Sequence, residues 1–165
     1  MNQAAICAGT FDPLTLGHLD VIERASRIFP RVVIAVATNT GKNPLFSLEE
    51  RLELVRESTA HLAGIEVDSF GGLLVNFAES KEVQVIVRGL RAFSDFEYEF
   101  QMALTNRKLK PAIETLVRMP KQAYSYVSSS NVRTVASLGG DTSQFVPPVV
   151  QRALDARFSG SQDCP

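Results

Sequence analysis

The chain has 165 residues, a length that suits a single domain able to bury a substantial core. Apolar residues make up 45% of the chain and charged residues 21%, so both disorder and a coiled coil are disfavoured. A formal net charge of -1 disfavours a broad electrostatic grip on DNA or RNA, although a few basic side chains can still converge on a small anion site.

Strand and helix signals alternate along the chain. Short apolar runs predict strands at residues 4–8, 32–37, 65–70, 83–87 and 115–119. Helical spacing, a capping box at Ser47 and the proline pair at 147–148 predict helices at residues 17–29, 47–62, 73–81, 93–109 and 129–138, and from 147 onwards. This alternation predicts an α/β fold, in which a five-stranded parallel sheet carries helices on both faces. We place the domain at residues 1–158 and expect residues 159–165 to form a flexible tail.

Two of the predicted helices carry a regular apolar face. The face of the first consists of Leu19, Val21, Ile22, Ala25 and Ile28. The stripe of the longest consists of Phe93, Phe96, Phe100, Ala103 and Leu104.

The cysteines and the N-terminal sequence bear on the cellular compartment of the protein. Cys7 and Cys164 form no CxxC or zinc-type spacing, so we expect two free thiols. The N-terminus shows no basic region followed by a signal-type apolar stretch, and no window approaches the ~20 apolar residues of a membrane span. We therefore expect a soluble cytoplasmic protein, with neither a membrane nor a nucleic acid as partner.

The turn after the first predicted strand reads Gly9-Thr10-Phe11-Asp12-Pro13 and leads through Thr15-Leu16-Gly17-His18 into the first helix. Gly17 lets a ligand approach the backbone, and His18 can point an N–H at a phosphate oxygen with help from the helix dipole. The alternative, a histidine that only makes a local hydrogen bond, is disfavoured by the Gly9-Thr10 turn that precedes it.

Polar side chains also follow the other strands, at the edge where open α/β sheets bind ligands. Lys42 follows the second strand and can serve as a mobile cation for an incoming phosphate, although a lone loop lysine is usually solvated. Arg88 and Arg91 follow the fourth strand, where a charge is costly unless it meets an anion. The alternative is internal pairing with Asp95, Glu97 or Glu99.

A hydroxyl-rich segment, residues 124–130, follows the fifth strand and opens a helix that carries Arg133. One serine at a helix start is an ordinary cap, but three in succession exceed what capping needs and suit phosphates. The sequence shows no convincing Ser-His-Asp order, metal-ligand cluster or dinucleotide fingerprint. We expect no protein metal site, and Mg²⁺ held mainly through nucleotide phosphates.

These motifs resemble the nucleotidyltransferases with a T/HxGH motif, here Thr15-Leu16-Gly17-His18, and a later serine motif, here Ser128-Ser129-Ser130 with Arg133. Within that superfamily the chain closely resembles the bacterial phosphopantetheine adenylyltransferases over about residues 6–154. The combination of Arg88-Gly89-Leu90-Arg91 with Asp95-Phe96-Glu97-Tyr98-Glu99 carries most of the specificity. The chain departs from the family at Ala8, where proline is frequent, and at Tyr124, where tryptophan is frequent.

The resemblance implies a Rossmann-like nucleotidyltransferase fold and transfer of AMP from ATP to 4′-phosphopantetheine, giving dephospho-coenzyme A and pyrophosphate. It assigns a catalytic set, with His18 as transition-state stabiliser: His18, Thr10, Lys42 and Arg88. It assigns ATP to Thr10, Phe11, His18, Gly89, Leu90, Arg91, Glu99, Tyr124, Ser125, Tyr126, Val127, Ser128, Ser129 and Ser130. It assigns phosphopantetheine to Thr10, Lys42, Leu74 and Arg88.

The resemblance further implies dependence on Mg²⁺, a homohexamer and feedback inhibition by coenzyme A. From pattern alone, Leu74 and its neighbours could equally pack in the core. Two other functions stay open: a related enzyme that uses CTP or nicotinamide mononucleotide, and a non-catalytic nucleotide sensor on the same fold.

Overall fold

The computed structural model describes residues 3–39 and 43–159. Five parallel strands form one sheet: β1 (Ala4–Gly9), β2 (Arg31–Ala37), β3 (Ile65–Phe70), β4 (Val85–Gly89) and β5 (Glu114–Arg118). The spatial order is β3-β2-β1-β4-β5, and Cys7 of β1 pairs with Ile34 on one side and Val87 on the other. The predicted five-stranded parallel sheet is confirmed.

The helices follow the strands in the predicted alternation: α1 (Leu16–Ser26), α2 (Leu48–Thr59), α3 (Leu74–Ser80), α4 (Phe93–Leu109), α5 (Ser129–Ser137) and α6 (Pro148–Phe158). A short 3-10 helix, Gln122–Tyr124, precedes α5. Both α1 and α2 end about three residues earlier than predicted, capped by Arg27 and Ala60. Helix ends are the least regular part of the pattern, because the last turn lacks intrahelical partners for its carbonyls.

Two apolar cores lie on the two faces of the sheet. Alternate residues of β1 point to opposite faces, so Ala5 and Cys7 join one core while Ala4 and Ile6 join the other. The first core packs against buried residues of α1, α2, α5 and α6, and the second packs against α3. Continuous apolar strands were therefore the correct signal for a sheet covered on both faces.

The apolar face predicted for α1 is only partly buried. Val21, Ile22 and Ala25 are buried, whereas Ile28 is exposed because the helix has ended before it. The apolar stripe of α4 points away from both cores: Phe93, Phe96, Phe100 and Leu104 are all exposed. The buried residues of α4 include Glu99 and Asn106, so this helix meets the sheet through polar side chains.

Within the described residues, no helix is both long enough and apolar enough to cross a membrane. Cys7 is a free buried cysteine, while Cys164 and residues 160–165 of the predicted tail lie outside the described residues. The sheet order places β1 beside β4, where the direction of strand addition reverses. A crevice for ligands is expected beyond the carboxyl ends of these two strands.

Candidate active site

The start of α1 is fixed by a capping box between Thr15 and His18. The Thr15 hydroxyl accepts the backbone N–H of His18 at 3.3 Å, and Nδ1 of His18 accepts the backbone N–H of Thr15 at 3.1 Å. The imidazole thus takes the place that a glutamate usually fills in this motif. The local hydrogen bond considered as the non-functional alternative for His18 is therefore present, but it occupies only Nδ1 of the ring.

That hydrogen bond determines the tautomer of His18. A backbone N–H can only donate, so Nδ1 is the unprotonated nitrogen and Nε2 carries the hydrogen of the neutral ring. Burial, and next the positive charges of Arg91 and Arg88, lower the pKa of His18 to about 4. At neutral pH the ring is therefore an uncharged hydrogen-bond donor through Nε2.

The lowered pKa of His18 makes the stability of the fold depend on pH. It falls from 6.5 to about 4, so between these values the unfolded chain binds the extra proton. The part of the unfolding free energy that depends on neutral His18 is fully present above pH 6.5 and is lost as the pH falls towards 4. His18→Asn keeps an acceptor for the Thr15 N–H but has no titrating ring. Between pH 7 and 5 its unfolding free energy should therefore decrease by about 2 kcal/mol less than that of the unaltered protein. Urea titrations at each pH measure this, and equal pH slopes for the two proteins would contradict it.

The turn after β1 brings Phe11 against His18. Phe11 has φ of 50°, a left-handed conformation that is uncommon for a large side chain, yet it is only 4% exposed. Its ring meets the imidazole edge-on, with centroids 5.2 Å apart. The ring also lies over Gly9, where an added Cβ would come within 3.1 Å of Phe11 Cζ. Phe11 therefore bounds the position that His18 can take.

Arg88, at the end of β4, forms a two-point ion pair with Glu99 of α4. Its Nε donates to one carboxylate oxygen at 2.9 Å and its Nη2 to the other at 2.7 Å, while Nη1 donates to the carbonyl of Ala8 at 2.7 Å. Described residues thus engage three of the five N–H donors of a guanidinium. The alternative of internal pairing is realised for Arg88, and donors remain for a phosphate.

Arg91 also pairs with an acid of α4. Its backbone N–H and its Nε donate to the Asp95 carboxylate at 3.3 and 3.1 Å, and its Nη1 donates to the carbonyl of Val127 at 3.4 Å. These longer contacts leave the Arg91 side chain 36% exposed. The guanidinium is therefore tethered near the cavity while remaining open to an anion.

The N-terminal part of α5 is hydrogen-bonded to the turn that follows β1. The Ser128 hydroxyl caps the helix by accepting the N–H of Asn131 at 3.1 Å, and the Ser129 hydroxyl donates to the carbonyl of Pro13 at 2.8 Å. Arg133 donates to the carbonyl of Asp12 and lies 3.5 Å from its carboxylate. The Asp12 carboxylate also accepts the backbone N–H groups of Leu45 and Phe46, both at 2.9 Å.

One cavity of about 560 Å³ collects these groups. Of the predicted site residues, it is lined by Thr10, Phe11, His18, Arg88, Gly89, Arg91, Glu99, Ser128, Ser129 and Ser130. The N-termini of α1 and α5 both contribute to the lining, so two helix dipoles and two arginines favour negative charge there. The arrangement suits a ligand with several phosphates.

Some predicted site residues lie elsewhere. Lys42 is outside the described residues. Leu74 begins α3 and packs against the second core, and Tyr124 packs against the first core beside Gly17. The remaining residues outside the cavity lining are Leu90, Ser125, Tyr126 and Val127.

Sequence reasoning gave no role to Asp12 and Cys7, which line the cavity, or to Arg51, which lies behind it. The Asp12 carboxylate joins the turn after β1 to residues 45 and 46. Within the Gly9–Pro13 motif, nothing in the sequence indicated this role for it. Cys7 lines the cavity, and burial raises the pKa of its thiol to about 12, so the thiol stays protonated. Arg51 of α2 is buried behind the Thr10 turn. The signal that could have identified Arg51 is its position on the same face of α2 as the apolar residues Leu48, Leu52 and Val55.

The carboxylates of the cavity are already committed to the protein. Asp95 and Glu99 are paired with arginines, and Asp12 accepts two backbone N–H groups. Among the residues that the structure describes, no group of three or more His, Cys, Asp or Glu side chains could hold a metal ion. These three carboxylates already have protein partners, so a metal ion would have to compete with those partners for them.

Comparisons with known proteins place this arrangement in context. A family model described as cytidylyltransferase-like matches residues 6–135. The crystal structure of a proposed nicotinate-nucleotide adenylyltransferase from Vibrio parahaemolyticus is similar over 94% of this chain and 93% of that chain, with a TM-score of 0.70 and 20% identity. The lipopolysaccharide core biosynthesis protein from Thermoplasma volcanium is similar over 72% of this chain and 96% of that chain, with a TM-score of 0.51 and 22% identity. At these identities the two structures establish the shared fold.

Proposed function

Because the chain belongs to the cytidylyltransferase-like family of nucleotidyltransferases, we propose that it transfers AMP from ATP to 4′-phosphopantetheine. The products are dephospho-coenzyme A and pyrophosphate. The proposal joins the family membership to the resemblance carried by the Arg88–Arg91 and Asp95–Glu99 segments.

The observation that carries the proposal is the convergence of neutral His18, Arg88 and Arg91 on a single cavity with two helix N-termini. These groups are hydrogen-bond donors, and the two arginines, although paired with Glu99 and Asp95, keep further N–H groups for a ligand. A transfer between two phosphates needs this kind of surface, because charge develops on the oxygens around the attacked phosphorus.

The acceptor phosphate is already an oxygen nucleophile, so the reaction needs no covalent residue of the chain. Arg88 holds that phosphate through its remaining N–H donors, Thr10 positions it, and Lys42 supplies a further positive charge. The phosphate oxygen attacks the α-phosphorus of ATP in line with the leaving pyrophosphate. One P–O bond forms as the other breaks, and the pyrophosphate carries away the electron pair.

His18 donates its Nε2 hydrogen to an α-phosphate oxygen, while Arg91 and Ser128–Ser130 hold the departing pyrophosphate. An uncharged donor suits this task because it stabilises added charge without holding the ground-state triphosphate too tightly. Mg²⁺, carried by the ATP phosphates, would supply further neutralisation of their negative charge. Tyr124 lies beside Gly17, and we expect the adenosine end of the nucleotide next to it.

The test is an acceptor and nucleotide panel. The protein is mixed with Mg²⁺ and either ATP or CTP, together with phosphopantetheine, nicotinate mononucleotide or nicotinamide mononucleotide. Pyrophosphate release is measured, and products are identified by mass spectrometry. Dephospho-coenzyme A from ATP and phosphopantetheine alone supports the proposal, and release with another pair assigns a different acceptor. Binding of ATP without turnover for any acceptor would identify a sensor.

Coenzyme A extends the product that we propose, so it is expected to compete at the same cavity as a feedback inhibitor. Adding coenzyme A to the assay should raise the apparent KM for phosphopantetheine. Inhibition independent of the phosphopantetheine concentration would place its binding elsewhere.

We further propose that the chain forms a homohexamer that buries the exposed stripe of α4. Phe93, Phe96 and Phe100 stack with ring centroids 6.1 and 5.7 Å apart, and Phe93 is 92% exposed. An exposed apolar row of this size usually marks an interaction surface.

Phe96→Glu should therefore lower the mass measured by light scattering after size-exclusion chromatography, because it places a charge within the stripe. Leu138→Glu, at the end of α5, is the matched control, since Leu138 is 82% exposed and lies off the stripe. A full-size assembly for Phe96→Glu would show that this stripe is not the interface.

A further inference from the structure

Arg51 is a buried cation without a carboxylate partner among the described residues. It is 1% exposed and lies on α2, one turn after Leu48 and one turn before Val55. Its Nη1 donates to the carbonyls of Thr10 and Ala37, both at 2.8 Å, and its Nε donates to the carbonyl of Phe46 at 3.2 Å. The guanidinium thus joins the end of β2 to the turn that follows β1.

Burying a guanidinium on an apolar helix face is costly in free energy. An unpaired buried charge carries a desolvation cost that neutral carbonyls offset only in part. Leucine or methionine would pack in the same volume without that cost. The rigid fork of arginine can hold several carbonyls at fixed angles, which neither an apolar side chain nor the single ammonium of lysine can reproduce.

The carbonyls held by arginines flank the left-handed residue of the turn. Arg51 holds the carbonyl of Thr10, and Arg133 holds that of Asp12. Between them lies Phe11 with φ of 50°, a conformation that persists only when the surrounding structure fixes it. The Phe11 ring then rests against the edge of the His18 imidazole.

We propose that Arg51 is a positioning residue, which holds the Thr10–Phe11 peptide in its left-handed turn and through the Phe11 ring sets the orientation of His18. Only the kinetic consequence rests on the proposed function, because the placement of the imidazole is a property of the protein without substrate.

The kinetic test compares Arg51→Lys and Arg51→Met with Arg56→Met. Arg56 is the matched control, since it lies on the same helix, its side chain is 50% exposed and its partner is Glu53. Both Arg51 variants should lose about 10- to 100-fold in kcat with little change in KM for ATP, because a misplaced donor weakens transition-state contacts more than ground-state binding. Unchanged kcat in a folded Arg51 variant would overturn the proposal.

A second readout needs no turnover. The chain has two histidines, so ¹⁵N-histidine spectra resolve His18 beside an internal reference, His61. At pH 7 the unaltered protein should show His18 fixed as the Nε2–H tautomer. In the Arg51 variants a displaced Phe11 ring should let the imidazole leave the Thr15 N–H, so the two nitrogens should average. Each spectrum is taken well below the variant's own Tm, where the variant is folded. A loss of stability alone would therefore not change the His18 spectrum.

An unaltered His18 spectrum in the Arg51 variants overturns the proposal whatever their Tm. If Arg51→Met fails to fold, Arg51→Lys decides the outcome, because it keeps the charge and the length while losing the fork. Failure of every acceptor in the turnover panel would remove the proposed function and leave this spectroscopic result standing.

Discussion

Replacing His18 with alanine is expected to lower kcat by about 10²- to 10³-fold, the usual cost of removing one oriented donor to a transition state. The physical reason is the capping box: Nδ1 accepts the Thr15 N–H, so Nε2 is the nitrogen left to donate from a side chain that lines the cavity. Because this contact strengthens only as charge develops, kcat and kcat/KM should fall together. Initial rates of pyrophosphate release measure the effect with whichever acceptor the panel identifies.

The matched control is His61→Ala, since the His61 side chain is 56% exposed and its Nε2 lies 3.2 Å from the carboxylate of Glu23. Circular dichroism should show an intact fold for both variants, with a small loss of stability for His18→Ala where the capping contact is gone. Near-normal turnover in folded His18→Ala would remove His18 from the chemistry.

Arg88→Met should produce the second large effect, because Arg88 has two partners to lose. Because the proposed function assigns Arg88 to the acceptor phosphate, we expect kcat/KM for phosphopantetheine to fall by about 10²- to 10³-fold. The Glu99 side chain, only 10% exposed, is left as a nearly buried carboxylate without its cation. This should cost about 2–3 kcal/mol of unfolding free energy at neutral pH.

A second substitution separates the two losses. In Arg88→Met/Glu99→Gln the buried negative charge is gone, so most of the lost stability should return while the activity stays low. Urea denaturation and steady-state kinetics on the two variants and on Glu99→Gln complete the cycle. Recovery of activity with stability would show that Arg88 serves the fold and does not hold the acceptor.

Much of the fold followed from local patterns. The apolar runs of β1 and β2 were long enough to be buried on both faces, and the alternation with helices required parallel strands. The pattern was weakest at α4, where spacing identified a stripe of phenylalanines but could not tell that the stripe faces away from the sheet. Periodicity reports which residues share a face, and only packing decides what that face meets.

The clustering of site residues was also predictable, and for a geometric reason. All strands of a parallel sheet end at one edge, so the side chains that follow β1, β4 and β5 are brought together whatever their separation in the chain. The sequence could not reveal that Glu99 would bind Arg88 in two-point fashion, or that Asp95 would take Arg91. Three acids on α4 were candidates, and the choice between them depends on the helix orientation.

By itself the sequence determined the order of elements, the sheet edge at which the candidate site residues gather and the family to which its motifs belong. These follow from short-range spacing and from the shared direction of parallel strands. Only the three-dimensional structure decided the tautomer of His18, the left-handed turn at Phe11 and the burial of Arg51 against three carbonyls. Each of the three depends on distances of about 3 Å between specific atoms, and hydrogen bonding is that sensitive to geometry.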